Sequence, residues 1–464
     1  MVIQDFNFMN LKKNFFGNIL FFFSIALMIY TFYRSEIIWE GNKRYYYNIY
    51  YLISFLVFFL SISLNYFNKK IITYIFIVLI SFGAGLYSYE GYLYLSIKKA
   101  EKMQKKFEGS VLQKKKIYEE NTGKEFERRS IMEAFSDEKE IDPNIKVPIF
   151  PYLHLWNNEI IFPFSGFSNS KTIHCKENGY YTFYRSDRYG FNNPDTEWDE
   201  KVIEFYLLGD SFAHGACVNE NFNIASQLRN LTKKSVINLG YGGNGPLIEF
   251  ASLKEYMQGD VKKIIWLYYE ENDLDNLRGE LQDNILINYL KDPNFSQNLI
   301  ENQTLIDALA YKKLNKAEKI EQNKKKIENS LLKKRQERII FYEFFKFIKL
   351  YQLRRSLRNT STISEFEKIL KLTKNLSLKK NSQLYFVYLP EYSRYMDTKF
   401  SNENYYKIKK ILNRLNIPLI DIHEKVFMKE KDPLELFPFK LYGHYTPEGY
   451  KKISEIIHLE TNKN

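Results

Sequence analysis

The sequence predicts a three-layer α/β/α sandwich around a parallel sheet of five strands, preceded by three transmembrane helices. Two patterns support this prediction. From about residue 203 onwards, short apolar runs alternate with segments of helical periodicity, as in doubly wound sheets. The first hundred residues instead contain three long apolar runs rich in Phe and Tyr. A membrane region joined to one α/β domain follows from this contrast.

The three apolar runs lie at about 15–33, 46–67 and 71–89, and each is long enough to cross a bilayer. The length of the first run, and the two runs that follow it, argue against a cleaved signal peptide. Residues 1–96 are therefore expected to form a transmembrane region at the inner or plasma membrane, with the lipid bilayer as a partner.

The lysines near these runs give two answers about the side of the membrane that the large domain occupies. Lysines at 12–13 and 69–70 favour an extracytoplasmic domain, whereas five lysines within 98–106 favour a cytoplasmic one. The chain has two cysteines, Cys175 and Cys217. An even pair favours an oxidising compartment, although two small buried thiols are an alternative. We expect an extracytoplasmic domain and a disulfide between these cysteines.

Two segments of different character separate the membrane region from the sheet. Residues 97–150 are charged and helix-prone, and are expected to form a helical stalk or linker. An aromatic, strand-like stretch at 180–185 then leads into the first core strand. Four tyrosines of this lead-in are candidates either for stacking on sugar rings or for packing beneath the sheet: Tyr180, Tyr181, Tyr184 and Tyr189.

The predicted α/β domain spans residues 151–464. Its five strands are expected at 203–208, 235–239, 263–269, 383–389 and 418–422. Its helices are expected at 221–231, 246–257, 402–415 and 447–458. A helical insertion is expected at about 280–380, between the third and fourth strands.

The net charge of +12 and a lysine-rich insertion raise the question of nucleic-acid binding. Glutamates are interleaved with these lysines, which is typical of a solvated helix face, so we expect no nucleic-acid partner. The sequence contains no His-x-x-x-His or Cys-x-x-Cys pair, and its glycine-rich turn lacks the Lys-Ser/Thr of a phosphate loop. We therefore expect neither a metal nor a cofactor.

A candidate nucleophile lies at the end of the first core strand, in EFYLLGDSFAH (204–214). Gly209 breaks the apolar run, so Ser211 would stand at the carboxyl end of a strand, where open α/β sheets bind ligands. A serine in this position needs a base to accept its proton and donors to bind an oxyanion. A strand-to-helix turn capped by Asp or Ser would give the same local pattern.

Three later stretches supply such groups in a consistent order. VINLGYGGNGP (236–246) is a strand that runs into a glycine-rich turn, and IIWLYYEEND (264–273) is a strand that ends on Asn and Asp. YGHYTPEGY (442–450) places His444 just before a helix. Each stretch alone also fits an ordinary turn, but the four in this order favour a catalytic site.

Together these four stretches resemble the sequence blocks of the SGNH (GDSL-type) hydrolase superfamily, in a membrane-anchored branch. The resemblance implies a flavodoxin-like sandwich in which Ser211 is the nucleophile and His444 is the base. It also implies an oxyanion hole formed by Ser211, Gly243 and Asn272.

The chain departs from this family at the residue that orients the histidine. The family has an acidic residue three positions before the histidine, where this chain has Leu441. Glu435 and Asp432, upstream in the same loop, are candidates for the third member, and a backbone carbonyl is a further alternative. His214 is a less suitable base, because a helix that begins at the nucleophile would turn its side chain towards a solvent-facing or structural position.

The resemblance implies a membrane-anchored serine esterase or O-acyltransferase that acts through a Ser-His site. The expected substrate is an ester, with acylated cell-surface polysaccharide as the suggested class. Three spans are too few for a membrane acyl-transfer domain, so an acyl donor would come from a partner membrane protein or a soluble carrier. The missing acid leaves one alternative: a weakly active or inactive protein of the same fold that binds or assembles glycans.

Overall fold

The computed structural model describes residues 15–41, 44–64, 69–107, 111–156, 159–353, 362–397 and 400–463. These residues form two compact units. One unit holds the described parts of Met1–Ser96 and Tyr342–Arg354, and the other holds those of Ile97–Phe341 and Arg355–Asn464.

The first unit contains three long helices: α1 (Phe15–Phe32), continued by a π-helical segment over Tyr33–Ile38, α2 (Arg44–Ser63) and α3 (Lys69–Phe107). Three stretches have the length and apolar composition needed to cross a membrane: Gly17–Ile38, Tyr46–Ser63 and Thr73–Ser96. The three predicted spans are thus present as helices. The third helix extends well beyond residue 89, while Lys12 and Lys13 lie outside the described residues.

In this unit, the end of the helical insertion contacts α3. Tyr87 Oη donates to the Ile348 carbonyl at 2.8 Å. The buried Glu90 carboxylate accepts from the backbone N–H groups of Gln352 at 2.8 Å and Leu353 at 2.6 Å. Backbone donors therefore satisfy the oxygens of a buried carboxyl group that lies within an apolar stretch of helix.

The second unit contains the remaining elements, apart from residues 342–348 at the end of its longest helix, which belong to the first unit. Its helices are α4 (Val111–Thr122), α5 (Ile131–Ile141), α6 (Leu153–Trp156), α7 (Ser211–His214), α8 (Ile224–Thr232), α9 (Pro246–Tyr256), α10 (Asp273–Glu280), α11 (Asn288–Lys291), α12 (Gln303–Ile348), α13 (Thr362–Lys379), α14 (Ser393–Met396), α15 (Glu403–Leu415), α16 (Ile422–Lys425) and α17 (Pro447–Thr461). Its strands are β1 (Lys171–Ile173), β2 (Phe183–Arg185), β3 (Val202–Gly209), β4 (Val236–Asn238), β5 (Asp260–Tyr269), β6 (Gln383–Leu389) and β7 (Leu419–Asp421).

The five predicted core strands form one parallel sheet in the order β4-β3-β5-β6-β7. This is the flavodoxin-like order, and the fold prediction is confirmed. The strand order reverses between β3 and β5, and a crevice forms at such a point because the connections on either side run to opposite faces of the sheet. The end of β3 is therefore the expected place for a ligand site.

Each central strand is buried on both faces, which explains why the strands read as continuous apolar runs. Tyr206 and Leu208 of β3 face one core, together with residues of α9 and α13. Phe205 and Leu207 face the other core, together with residues of α8 and α17. Since side chains alternate along a strand, helices cover both faces and the middle strands are enclosed.

The segment expected to form a stalk at 97–150 is largely part of the α/β unit. Ala134 and Phe135 on α5 are buried in a third core cluster with Ile173 and Leu314. Tyr118 on α4 is also buried. Helices α4 and α5 lie within this segment, and each buries one face in the domain.

Candidate functional site

The turn between β3 and α7 presents Ser211 at the carboxyl edge of the sheet. Gly209 has φ +151°, and a Cβ at this position would lie 2.8 Å from the Leu267 carbonyl oxygen, so only glycine fits. Asp210 then caps α7, because its Oδ1 accepts from the Phe212 N–H at 2.9 Å. Ser211 is the first residue of the short helix.

His444 meets Ser211 from the loop between β7 and α17. Its Nε2 lies 2.9 Å from Ser211 Oγ. Two neighbours fix this loop: Tyr445 is buried and donates its hydroxyl to the Pro390 carbonyl at 2.7 Å, and the Thr446 side chain caps α17. The structure therefore brings together the two residues predicted as nucleophile and base.

The carboxylate that contacts His444 is Glu177, which the sequence did not indicate. Glu177 Oε1 lies 3.0 Å from His444 Nδ1, and Oε2 accepts from the His444 N–H at 2.6 Å. The candidates Glu435 and Asp432 are wrong, because both carboxylates bind the ammonium group of Lys440 instead. They face the surface, whereas Glu177 reaches the imidazole from a turn early in the domain.

The environment favours an ionised Glu177 beside His444. Burial would raise the pKa of Glu177, but the charge and hydrogen bonds of His444 and the charge of Lys114 outweigh burial and hold it at about 2. Burial would lower the pKa of His444, but the charge and hydrogen bond of Glu177, with Asp210 and Glu271 nearby, raise it above its usual 6.5. The imidazole is therefore a stronger base than a free histidine.

The predicted oxyanion hole includes the backbone N–H groups of Ser211 and Gly243. Among the described residues, neither the Ser211 N–H nor the Gly243 N–H has a hydrogen-bond acceptor. Gly243 has φ +88°, which a residue with a side chain rarely adopts. Its turn lies against β3 and α7, since the Tyr241 N–H donates to the Gly209 carbonyl at 3.3 Å.

Asn272 follows β5, the neighbour of β3, at the same edge of the sheet. Its Nδ2 lies 3.3 Å from Asp210 Oδ2, next to the serine. An amide carries two N–H groups, so one N–H of Asn272 is left after this contact. Ser211 Oγ lies 3.4 Å from the same Asp210 Oδ2, so Asn272 and Ser211 share a neighbour. An oxyanion hole formed by Ser211, Gly243 and Asn272 stays a prediction.

A buried carboxylate holds the glycine-rich turn in place. Glu280 accepts from the Gly245 N–H at 2.7 Å and from the Leu247 N–H at 2.9 Å, at the start of α9. Burial raises the pKa of Glu280 to about 7, although these backbone donors oppose the shift. The position of Gly243 therefore depends on an acid that comes from α10.

A disulfide joins Cys175 to Cys217, with their Cα atoms 5.0 Å apart. Cys175 precedes Glu177 by two residues, and Cys217 follows the nucleophile helix. Cys217 Sγ lies 3.7 Å from His444 Nδ1. The covalent link therefore ties the turn that carries the acid to the segment that carries the serine.

His214 has a structural position, and the solvent-facing alternative is wrong. The residue is buried beneath the site, where its ring contacts the rings of His174, Tyr184 and Tyr241. Neither ring nitrogen has a hydrogen-bond partner among the described residues. Burial therefore lowers the pKa of His214 well below its usual value, so the ring stays neutral.

Most of the four tyrosines in the lead-in to the first core strand pack against other parts of the protein. Tyr184 is buried, and the Tyr181 hydroxyl donates to the Arg129 carbonyl. The Tyr189 ring meets the Trp198 ring edge-on. Tyr180 is exposed. Three of the four candidates thus take the packing role.

One group of three metal-ligand side chains occurs in the described part of the chain: Glu177, Cys217 and His444. Cys217 is disulfide-bonded, so its sulfur is not a thiolate ligand. The other two side chains are hydrogen-bonded to each other. These residues suit a proton-transfer site better than a metal centre.

No protein-family model and no curated protein matches this sequence. Among solved structures, the chain is similar to a protein ascribed to the G-D-S-L lipolytic family from Desulfitobacterium hafniense DCB-2. That match has 12% sequence identity and a TM-score of 0.29, and covers 56% of this chain and 98% of that chain. The chain is also similar to an acetyl xylan esterase, with 11% identity, a TM-score of 0.30, and coverage of 56% and 99%. A conclusion about function therefore depends on the geometry of the site.

Proposed function

We propose that this protein is a membrane-anchored serine ester hydrolase or O-acyl transfer enzyme. One observation carries the proposal: Glu177, His444 and Ser211 form a hydrogen-bonded chain at the carboxyl edge of a parallel sheet. Acid, base and nucleophile in this order activate a serine for attack on an ester carbonyl.

The geometry defines the path of the proton. Neutral His444 accepts the Ser211 proton at Nε2 while Oγ bonds to the carbonyl carbon, and Glu177 stabilises the imidazolium through Nδ1–H. His444 then returns the proton to the leaving oxygen, which departs as an alcohol and leaves an acyl-serine. Water or a sugar hydroxyl, deprotonated by His444, attacks the acyl-serine. Water releases a free acid, whereas a sugar hydroxyl accepts the acyl group.

The negative charge on the carbonyl oxygen would be bound by the N–H groups of Ser211 and Gly243 and by the Asn272 amide. Removal of one such donor typically lowers kcat by about a hundredfold or more. We therefore expect Ser211→Ala to abolish hydrolysis of a small acetyl ester, and Asn272→Ala to lower kcat about a hundredfold. Asn462→Ala, at an exposed position after α17, is the matched control. Full activity in Ser211→Ala would refute the proposal.

Support for a carbohydrate substrate comes from Tyr152 and His154, two exposed residues next to the glycine-rich turn. A Cβ on Gly243 would lie 3.2 Å from Tyr152 Cε1, so the phenol ring borders Gly243, a proposed member of the oxyanion hole. The two rings are nearly parallel, at 10°, with centroids 5.9 Å apart. Exposed aromatic faces beside the glycine-rich turn suit the apolar faces of sugar rings.

Tyr152→Ala separates a glycan ester from a small one. We expect KM for an O-acetylated polysaccharide to rise three- to tenfold, roughly the worth of one aromatic contact, while KM for p-nitrophenyl acetate stays the same. Tyr406→Ala, at an exposed tyrosine on α15, is the control. An unchanged KM for the polysaccharide would move the substrate class to lipid or small esters.

An extracytoplasmic domain is part of the proposal, supported by the Cys175–Cys217 bond, since disulfides persist in oxidising compartments. Alkylation of thiols in native membranes, with and without reductant, tests this: we expect alkylation only after reduction. Free thiols would favour the cytoplasmic side. If the enzyme transfers acyl groups, a partner membrane protein or a soluble carrier would supply the donor.

The alternative of an inactive glycan-binding protein depended on the absence of an orienting acid at Leu441. In this proposal Glu177 takes that role from a different part of the chain, supported by its contact with His444. The observation that favoured the inactive alternative is therefore replaced by one that favours catalysis.

A further inference from the structure

We propose that Lys114, on helix α4, is a positioning residue of this active site. Its ammonium group holds the turn that carries Glu177 and the loop that carries His444 in register. The helix that follows α3 in the chain would then complete the site. This inference rests on the proposed function of Ser211, His444 and Glu177.

The first support is a direct contact between α4 and the histidine loop. Lys114 Nζ donates to the Tyr442 carbonyl at 2.7 Å, two residues before His444. On its other side, the Tyr442 hydroxyl donates to Glu271 Oε1 at 2.9 Å, next to Asn272. The loop is therefore held between α4 and the end of β5.

The second support is the close approach of Lys114 to Glu177. A Cβ at position 443 would lie 2.6 Å from Glu177 Oε2 and 3.5 Å from Lys114 Nζ. The ammonium group and the carboxylate thus flank the same glycine. The positive charge of Lys114 contributes to the lowered pKa of Glu177, and so favours the ionised acid that His444 requires.

The third support is the packing of α4 on both functional segments. A Cβ on Gly179 would lie 2.4 Å from the Tyr118 ring, so α4 presses on the turn of Glu177. The same ring meets Phe439 edge-on, with centroids 6.2 Å apart, in the loop of His444. Tyr118 and Lys114 lie four residues apart, on one face of the helix. That face contacts the acid's turn and the base's loop together.

The charged groups around His444 determine in which direction its pKa should change when Lys114 is replaced. His444 is faced by the carboxylates of Glu177, Asp210 and Glu271, and by the buried, neutral rings of His174 and His214. The positive charges of His444 and Lys114 both lower the pKa of Glu177. Replacement of Lys114 removes a positive charge from the surroundings of the Glu177–His444 pair, so we expect the pKa of His444 to rise.

Lys114→Met tests the inference by two independent readouts on the full-length protein in detergent. The first is the pKa of His444, followed by NMR of ¹³C-labelled histidines and assigned with His444→Gln. The second is kcat/KM for p-nitrophenyl acetate against pH. We expect a higher pKa of His444, an acid limb moved to higher pH, and kcat/KM about tenfold lower near neutrality.

Three further variants separate the effect of the Lys114 charge from other effects of the substitution. Lys114→Arg keeps the charge and should leave the pKa of His444 close to that of the wild type. Lys116→Met removes an exposed lysine, 75% accessible, that pairs with Glu120, and should change neither readout. Lys114→Gln keeps a donor for the Tyr442 carbonyl without the charge, and replaces Lys114→Met if that variant does not fold.

The outcomes separate this inference from the proposed function. An unchanged pKa of His444 with unchanged kcat/KM in Lys114→Met and Lys114→Gln would overturn the role of Lys114. A shifted pKa in a protein whose wild type hydrolyses no ester would support Lys114 as a positioning residue and overturn the esterase instead.

Discussion

Glu177→Gln isolates the contribution of the acid to the site. The amide has nearly the shape of the carboxylate, so packing of the turn is preserved while the charge is lost. Its NH₂ group can donate to His444 Nδ1, which would place the remaining ring proton on Nε2. An imidazole in that form cannot accept the proton of Ser211.

The size of the effect follows from the contact distance. At 3.0 Å, the attraction between Glu177 and an imidazolium is about 5 kcal/mol for an effective dielectric constant of 20. The side chains are 27% and 23% exposed, so solvent reduces this to roughly half, which corresponds to about a hundredfold in rate. The wrong tautomer adds to the loss, and kcat should fall about a hundred- to a thousandfold.

The pH profile gives a second readout with a defined sign. His444 must be neutral to act as a base, and its pKa is raised above 6.5 chiefly by Glu177 acting against burial. The wild-type acid limb of kcat/KM should therefore lie above pH 6.5. Removal of the carboxylate charge lowers the pKa of His444, so the limb of Glu177→Gln should move to lower pH.

The assay is hydrolysis of p-nitrophenyl acetate by full-length protein, with melting temperature measured in parallel. Glu435→Gln is the matched control, because this glutamate pairs with Lys440 at the surface, and it should be fully active. A kcat for Glu177→Gln within threefold of the wild type, with an unmoved acid limb, would refute the role of Glu177. An equally large loss of kcat in Glu435→Gln would also refute it, because the loss would then not be specific to Glu177.

Three further predictions follow from the contacts around the site. Gly443→Ala should lower kcat/KM about tenfold or more with little change in melting temperature, since the new Cβ would lie 2.6 Å from Glu177 Oε2 and displace it; equal activity would show that Glu177 tolerates displacement. Replacement of both Cys175 and Cys217 by Ala should lower the free energy of unfolding by about 2–4 kcal/mol in urea titrations, because the bond closes a loop with a sequence separation of 42; an unchanged midpoint would contradict this. Burial raises the pKa of Glu280 in the folded protein to about 7 from its usual 4.5, so its contribution to stability is present below pH 4.5 and lost as pH rises through 7. Glu280→Gln should therefore become more stable relative to the wild type as the pH rises from 5 to 8. A difference in free energy of unfolding that does not vary with pH would contradict a raised pKa of Glu280.

The sheet could be predicted from the sequence because parallel strands buried on two faces leave a continuous apolar signature. The runs that become β3, β5 and β6 stand out for this reason. Ser211 and Asn272 then follow from position, since the carboxyl ends of adjacent parallel strands meet at one edge. His444 could be predicted because it stands just before the first turn of a helix. Local patterns were sufficient for these residues.

Glu177 could not be found in this way because nothing local marks it. It lies 267 residues from His444, in a turn with no strand or helix signal. The one available indication was the cysteine pair: a bond from Cys175 to Cys217, six residues beyond the nucleophile, places residue 177 near the site. The sequence indicated the pairing, but the geometry that follows from it needs the folded chain.

The packing of α4 and α5 on the domain could not be predicted for a related reason. A charged helix that buries a single face has the composition of a solvated linker. On α4, burial is concentrated in Tyr118, and Lys114 reaches a backbone carbonyl with a long side chain. Composition alone does not distinguish such a helix from one that touches nothing.

Labelling by a fluorophosphonate tests the central claim most directly, because the reagent reacts with a serine only when a neighbouring base activates it. Full-length protein in detergent is treated with the probe and digested, and the modified peptide is identified by mass spectrometry. We expect one label per chain, on Ser211, absent in Ser211→Ala and strongly reduced in His444→Ala. A folded wild-type protein that takes up no label, or a label that persists in Ser211→Ala, would contradict an activated serine at this site.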